Sequence, residues 1–170
     1  MNENLSKTIQ QSRDEMRPLL LEGTTCPCCL QHVQQYRRQL TSAMVYGLII
    51  LSKASDNDKT DRGFIHMEDY LKKQKCPSSV RGDLPKARFW GFIEPGIAQA
   101  DDGNPNAGYY KLLPKGLDFI NGKILVQKAV KIYNNKFYGF DGEEIDVWGA
   151  IKNKFNYNSL MGIQQYEKTI

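Results

Sequence analysis

Histidine is scarce in this chain, with two among 170 residues. That leaves little material for a histidine-centred nucleophile or acid–base constellation, and no such grouping is suggested by the spacing. The chain also lacks a glycine-rich phosphate loop and a dinucleotide fingerprint. An enzyme is therefore not expected. No apolar run is long enough to cross a bilayer and no secretory signal pattern opens the sequence, so the expectation is a cytoplasmic protein with no membrane partner. Cysteine is limited to four residues. Without a secretory signal these read as thiols or metal ligands rather than a disulfide scaffold. There is no internal repeat and no low-complexity segment.

What is present is enough for a packed core. The apolar fraction is 41%, and nine tyrosines and seven phenylalanines supply bulk. The length suits one domain, or one domain with decorations. A net charge of +4 with pI near 8.8 permits nucleic acid without demanding it. The oligomeric state is not legible.

The most structured stretch runs from Leu84 to Asn121. Asp83 reads as an N-cap for a helix in which Leu84, Ala87, Trp90 and Gly91 recur at three- and four-residue steps on one face, and Gly91 closes it. Pro85 is tolerated in the first turn. Phe92-Ile93 reads as a strand, residues 101–106 as a polar loop, and Tyr109-Tyr110-Lys111-Leu112 as the returning strand. Pro114 opens a helix through Phe119-Ile120, closed by Gly122.

The run Phe89-Trp90-Gly91-Phe92-Ile93-Glu94, followed by Gly108-Tyr109-Tyr110-Lys111-Leu112-Leu113-Pro114-Lys115-Gly116, resembles the signature of bacterial winged-helix regulators. More narrowly, residues 16–162 resemble small uncharacterised proteins of tailed phages and prophages. The residues that carry this are Cys26-Pro27-Cys28-Cys29, the Tyr36 to Leu40 stretch, the winged core and Phe155-Asn156-Tyr157-Asn158-Ser159-Leu160-Met161. The resemblance implies an α+β winged helix-turn-helix core, a phage or mobile-element setting in the host cytoplasm, and no established activity.

The remainder divides into an N-terminal arm with a cysteine knuckle (1–40), the winged core (41–122) and a C-terminal hairpin with a short helix (123–170). An amphipathic helix is expected over residues 2–22, with a break at Pro18 and an end at Gly23. The knuckle is expected to lead into an extended or irregular arm. Thr41 or Ser42 caps a helix with Met44, Gly47, Leu48 and Leu51 on one face, fading at residues 55–58. Phe64-Ile65 is a short strand, Glu68 to Lys75 a helix with Tyr70 and Leu71 inward, and Pro77-Ser78-Ser79 a turn. Asn134-Asn135 joins two strands, Asp141-Gly142 makes a further turn, and Asp146 caps a helix from Val147 to Lys154 that buries Val147, Trp148 and Ile151.

Two constellations could carry chemistry. Cys26 and Cys29 have the spacing of a zinc knuckle, whose turn points two thiolates at one place. Cys76, followed by Pro77, is the best third ligand, and His66, His32 and Cys28 compete for the fourth, with His66 preferred. A zinc held in this way would be structural, because four protein ligands leave no open position. A thioredoxin-like redox role is disfavoured, since it wants the pair at the start of a helix after a buried strand and nothing before Cys26 reads as such a strand. The second constellation is basic. Lys72, Lys73, Lys75, Arg81, Lys86 and Arg88 surround the proposed helix-turn-helix, with Ser78 and Ser79 as neutral phosphate contacts. These cations would hold the backbone of double-stranded DNA, and an arginine on the third helix could read guanine edges. Against this, Asp101 and Asp102 at the wing tip would be repelled by a minor groove, and no long C-terminal helix is present to build a dimer. The competing expectation is a protein-interaction module acting on host or phage machinery through the aromatic hairpin of Tyr133, Phe137, Tyr138 and Phe140. The acids Asp141, Glu143, Glu144 and Asp146 fit no calcium loop and read as solvated or capping.

Overall fold

The computed structural model describes residues 7–57, 63–96 and 108–163. The chain is mixed α+β and packs as two compact units, Met1–Arg38 with Ala129–Asp141 and Gln39–Lys128 with Gly142–Ile170. The C-terminal hairpin contributes residues 129–141 to the first unit and its remaining residues to the second.

In the first unit, helix α1 (Ile9–Met16) starts at a capping box in which the Thr8 side chain accepts from Gln11 N–H and the Gln11 side chain accepts from Thr8 N–H. The chain then tightens into a 3₁₀ turn, Arg17–Leu19, where Pro18 forbids a further α-helical bond. Two short strands, β1 (Thr24–Thr25) and β2 (His32–Val33), pair antiparallel around the cysteines. The arm after the cysteines, expected to be extended or irregular, is extended at His32–Val33.

Helix α2 (Ser42–Asn57) is the spine of the second unit. Thr41 Oγ1 accepts from Met44 N–H at 3.2 Å and caps it. Met44, Val45, Leu48, Ile49, Ile50, Leu51 and Ala54 are all buried, so the helix is apolar nearly all round, as an enclosed helix must be. Strand β4 (Ile65–His66) leads to α3 (Met67–Lys73) and α4 (Ser78–Asp83). Ser78 and Ser79 therefore begin a helix rather than forming the expected turn.

The chain continues from α4 as a 3₁₀ helix, Leu84–Trp90. Pro85 has no N–H to extend the α-helical ladder, and the pitch tightens there. The buried residues Leu84, Ala87 and Trp90 recur every three positions, which is the 3₁₀ repeat rather than 3.6. Asp83 stands at the N-cap position read from sequence, but its side chain makes no capping hydrogen bond. It is helical, and its carboxylate instead accepts from Thr41 Oγ1 at 3.0 Å and from Lys86 Nζ at 2.9 Å. The absence of a side chain at Gly47 lets this segment approach α2, since a Cβ there would lie 3.1 Å from Leu84 Cδ1.

Strands β5 (Ile93–Pro95) and β6 (Tyr109–Leu112) complete an antiparallel sheet with β4 in the order β4–β6–β5. Its register pairs Ile65 with Tyr110 and Ile93 with Leu112. The expected loop residues Asp101 and Asp102 lie outside the described residues. Helix α5 (Pro114–Ile120) follows, and Trp90, Phe92 and Phe119 form a stacked column with centroid spacings of 6.5 and 4.8 Å.

Strands β7 (Val126–Tyr133) and β8 (Lys136–Ile145) turn at Asn134 and Asn135, both at positive φ, as a primed two-residue turn requires. With β3 (Tyr36–Gln39) they form the order β3–β7–β8. The turn expected at Asp141-Gly142 does not form, and β8 runs through it. Asp141 is held inside the sheet by Arg37 and by Lys131 at 3.7 Å. Asp146 Oδ1 accepts from Gly149 N–H at 2.7 Å and caps α6 (Val147–Ile151). Lys152 is left-handed, which ends α6 before the expected Lys154. Val147, Ala150 and Ile151 are buried, but Trp148, expected inward, is 52% exposed. Its ring lies against that of Tyr157 on a short helix, α7 (Tyr157–Met161), whose hydroxyl donates to the Ile120 carbonyl at 2.6 Å.

Candidate nucleic-acid interface

The basic residues gather where α3 ends and α4 begins. Lys72 and Lys73 occupy the last turn of α3, and Lys75 adopts positive φ in the connection. Ser78 and Ser79 open α4, and Arg81 is in its last turn. All six of these side chains are exposed. Lys72 pairs with Glu68 at 2.9 Å, and that hydrogen bond holds the Glu68 carboxyl below its ordinary value. Among the described residues, no carboxylate lies within 4.0 Å of Lys73, Lys75 or Arg81.

Lys86 and Arg88 sit differently. The 3₁₀ repeat sends them to two separate flanks of the buried Leu84–Ala87–Trp90 face, and both are half-buried. Lys86 is committed to Asp83 at 2.9 Å. The Arg88 guanidinium lies 4.9 Å from the Phe89 ring centroid. Burial pushes the Tyr110 phenol up, and the charge of Arg88 partly opposes that rise. Arg81 also lines a cavity of about 380 Å³ between α3 and α4, together with Glu68, Leu71 and Tyr110.

The cysteine constellation divides between the units. Cys26 and Cys29 belong to the first, Cys76 and His66 to the second. Around Cys26 the chain folds back, with its N–H donating to Gln31 O and its carbonyl accepting from Leu30 N–H, both at 2.8 Å. The N–H groups of Cys29 and then Cys28 donate to the Cys26 sulfur, which lowers the thiol from its ordinary value of 9.0. His66 Nδ1 is engaged with Asp69 at 2.8 Å, and its ring packs on Tyr109. Burial raises the Cys76 thiol, against a hydrogen bond with Tyr46 that lowers it. Among the described residues no group of three or more His, Cys, Asp or Glu side chains is placed to hold a metal ion.

The hairpin aromatics are exposed on both faces of β8. Phe137, Tyr138 and Phe140 each show between 42% and 49% of their surface. A cationic cavity in the first unit, lined by Arg13, Arg17 and Lys136, has no counterpart in the constellations read from sequence. The signal was the spacing of Gln10, Arg13 and Arg17, which places them on one helical face. No helix among the described residues is long and apolar enough to cross a membrane. In comparisons with known proteins, no family model, no curated protein and no solved structure matches the chain.

Proposed function

We propose that residues 42–120 form a winged helix-turn-helix that binds double-stranded DNA. The observation that carries this is the exposure of Lys73, Lys75 and Arg81 around the α3–α4 connection, with no carboxylate within 4.0 Å among the described residues. The order helix, strand, helix, helix, strand, strand and the β4–β6–β5 sheet support the fold reading. In helix-turn-helix proteins the N-terminal residues of the second helix approach the bases while neighbouring groups hold phosphates. Here those N-terminal residues are Ser78 and Ser79, and Arg81 follows in the last turn of the same short helix. Lys86 and Arg88, being half-buried and engaged, serve mainly to fix the 3₁₀ segment. Duplex titration followed by fluorescence anisotropy tests the proposal. Binding by the native chain, lost when Lys73, Lys75 and Arg81 are all changed to glutamate, supports it. Equal binding by both proteins overturns it.

A second reading, a protein-interaction module of phage or host-directed type, is favoured by the exposed Phe137 and Phe140, whose rings meet edge to face at 4.9 Å. Partner capture lost on Phe137→Ala but kept in the glutamate variant would favour it. Zinc is a separate proposal confined to the Cys26–Cys29 turn, supported by the amides that favour the Cys26 thiolate. Elemental analysis showing no zinc in purified protein sinks it.

A further inference from the structure

The cavity in the first unit has a volume of about 380 Å³, within the range of small-ligand sites. Met16 and Leu20 are among its lining residues, and the polar lining comes from the N-terminal helical segment and from the β7–β8 hairpin. Gln10, Arg13 and Arg17 project from one side of α1 and the 3₁₀ turn after it, at three- and four-residue steps. Tyr133 and Asn134 come from the end of β7 and the hairpin turn, and Lys136 and Tyr138 lie two apart on β8, hence on one face. Arg13, Arg17 and Lys136 are exposed, and among the described residues no carboxylate lies within 4.0 Å of them. The nearby acids are occupied. Asp14 accepts from Gln10 Nε2 at 3.0 Å, and Glu15 pairs with Lys7 at 2.8 Å. No acidic side chain lines the cavity. Tyr133 and Tyr138 meet edge to face at 6.1 Å, which leaves the 49%-exposed Tyr138 ring available for contact.

We propose that this cavity binds a nucleoside phosphate. Arginine presents a planar fork of donors suited to phosphate oxygens, and Arg13 and Arg17 supply two forks on one side with the Lys136 ammonium on the other. A tyrosine face accepts any base by stacking, and the Asn134 amide can bond the base edge. The cavity is too small for a duplex and is the size of a single nucleotide. The same chemistry is offered by a free nucleotide and by one residue of a single strand. The proposal is independent of duplex binding by the second unit.

Isothermal titration of the full chain with AMP, adenosine, inorganic phosphate and an eight-residue oligothymidine tests it. AMP is expected to bind more tightly than either adenosine or phosphate. Arg13→Gln with Arg17→Gln is expected to weaken AMP binding by at least about tenfold, the equivalent of one lost charge-assisted hydrogen bond. Lys136→Gln, on an exposed hairpin where folding is not at stake, is expected to weaken it in the same direction. Tyr138→Leu is expected to reduce the affinity for AMP but not for phosphate. Tighter binding of AMP than of the oligonucleotide identifies a free nucleotide as the source, and the reverse identifies a single strand; either supports the site. No binding of AMP or oligothymidine, or binding unchanged in both Lys136→Gln and the folded arginine variant, overturns it.

Discussion

Trp90 Nε1 donates to the Gln127 carbonyl at 2.7 Å, joining the end of the 3₁₀ helix to strand β7. The indole is 1% exposed, so the bond is sheltered from water. Trp90→Phe keeps most of the apolar bulk but leaves the Gln127 carbonyl without this donor. A loss of about 1–3 kcal/mol is expected, the ordinary cost of an unmet buried acceptor. Urea unfolding should show a lower midpoint with an unchanged slope. An unchanged midpoint would mean that water or another group satisfies the carbonyl.

Two glycines are expected to respond in opposite directions. A Cβ at Gly116 would lie 2.4 Å from the Phe92 carbonyl oxygen, an overlap with backbone that cannot relax by rotating a side chain. Gly116→Ala is expected to cost about 1–3 kcal/mol or more. At Gly82, inside α4, a Cβ meets nothing within 4 Å. Gly82→Ala is expected to stabilise by about 0.4–1 kcal/mol, because alanine restricts the unfolded chain. Thermal melts of both variants check the contrast, and shifts of the same sign would contradict it.

The thiols should separate by reactivity. Amides of Cys29 and Cys28 lower the Cys26 thiol, whereas burial raises that of Cys76. Because the thiolate is the nucleophile, iodoacetamide is expected to label Cys26 at a lower pH than Cys76. Peptide mapping by mass spectrometry reads the order directly. Faster labelling of Cys76 would show that the turn around Cys26 is not formed.

Acid stability should depend on Asp141. Its hydrogen bond from Arg37, with further help from Lys131, holds the carboxyl below its ordinary value of 3.8. A carboxyl depressed in the folded chain contributes stability above its unfolded value, and that contribution fades as pH falls through the folded value. The loss therefore belongs below about pH 4. Asp141→Asn is expected to flatten the dependence of stability on pH in that window and to leave its shape near neutrality unchanged. An identical acid profile in the variant would remove Arg37 and Asp141 from the account.

Much of the second unit was legible in the sequence, and the places where it was not have local causes. Strand β6 and helix α5 fall at their expected limits, because Tyr109 and Tyr110 are strong strand formers and Pro114 fixes a helix start. The cap at Thr41 and the turn at Asn134 and Asn135 rest on side-chain chemistry that acts within a few residues. Asp83 misled because a capping residue and a charged residue bound to a distant hydroxyl look alike in sequence; its partner Thr41 is 42 positions away. The continuation of β8 through Asp141-Gly142 was hidden for the same reason, since Arg37 is 104 positions from Asp141. Trp148 follows the apolar pattern of α6, yet its ring is left to a contact with Tyr157 that no periodicity announces. The basic cluster was visible as composition. Which of its members are engaged was not visible there, because composition does not say that Lys86 pairs with Asp83 or that Arg88 lies over the Phe89 ring.

The salt dependence of duplex binding tests the central proposal most directly. Each phosphate neutralised by a cation releases counterions, and the logarithm of the binding constant then falls with the logarithm of salt concentration by about 0.9 per contact. Between roughly 50 and 200 mM salt, the native chain is expected to lose affinity steeply. Replacement of Lys73, Lys75 and Arg81 by glutamine should make that slope shallower by about 0.9 for each contact removed. A slope identical in the two proteins, or no duplex binding at the lower salt, would contradict the assignment of the α3–α4 connection to DNA.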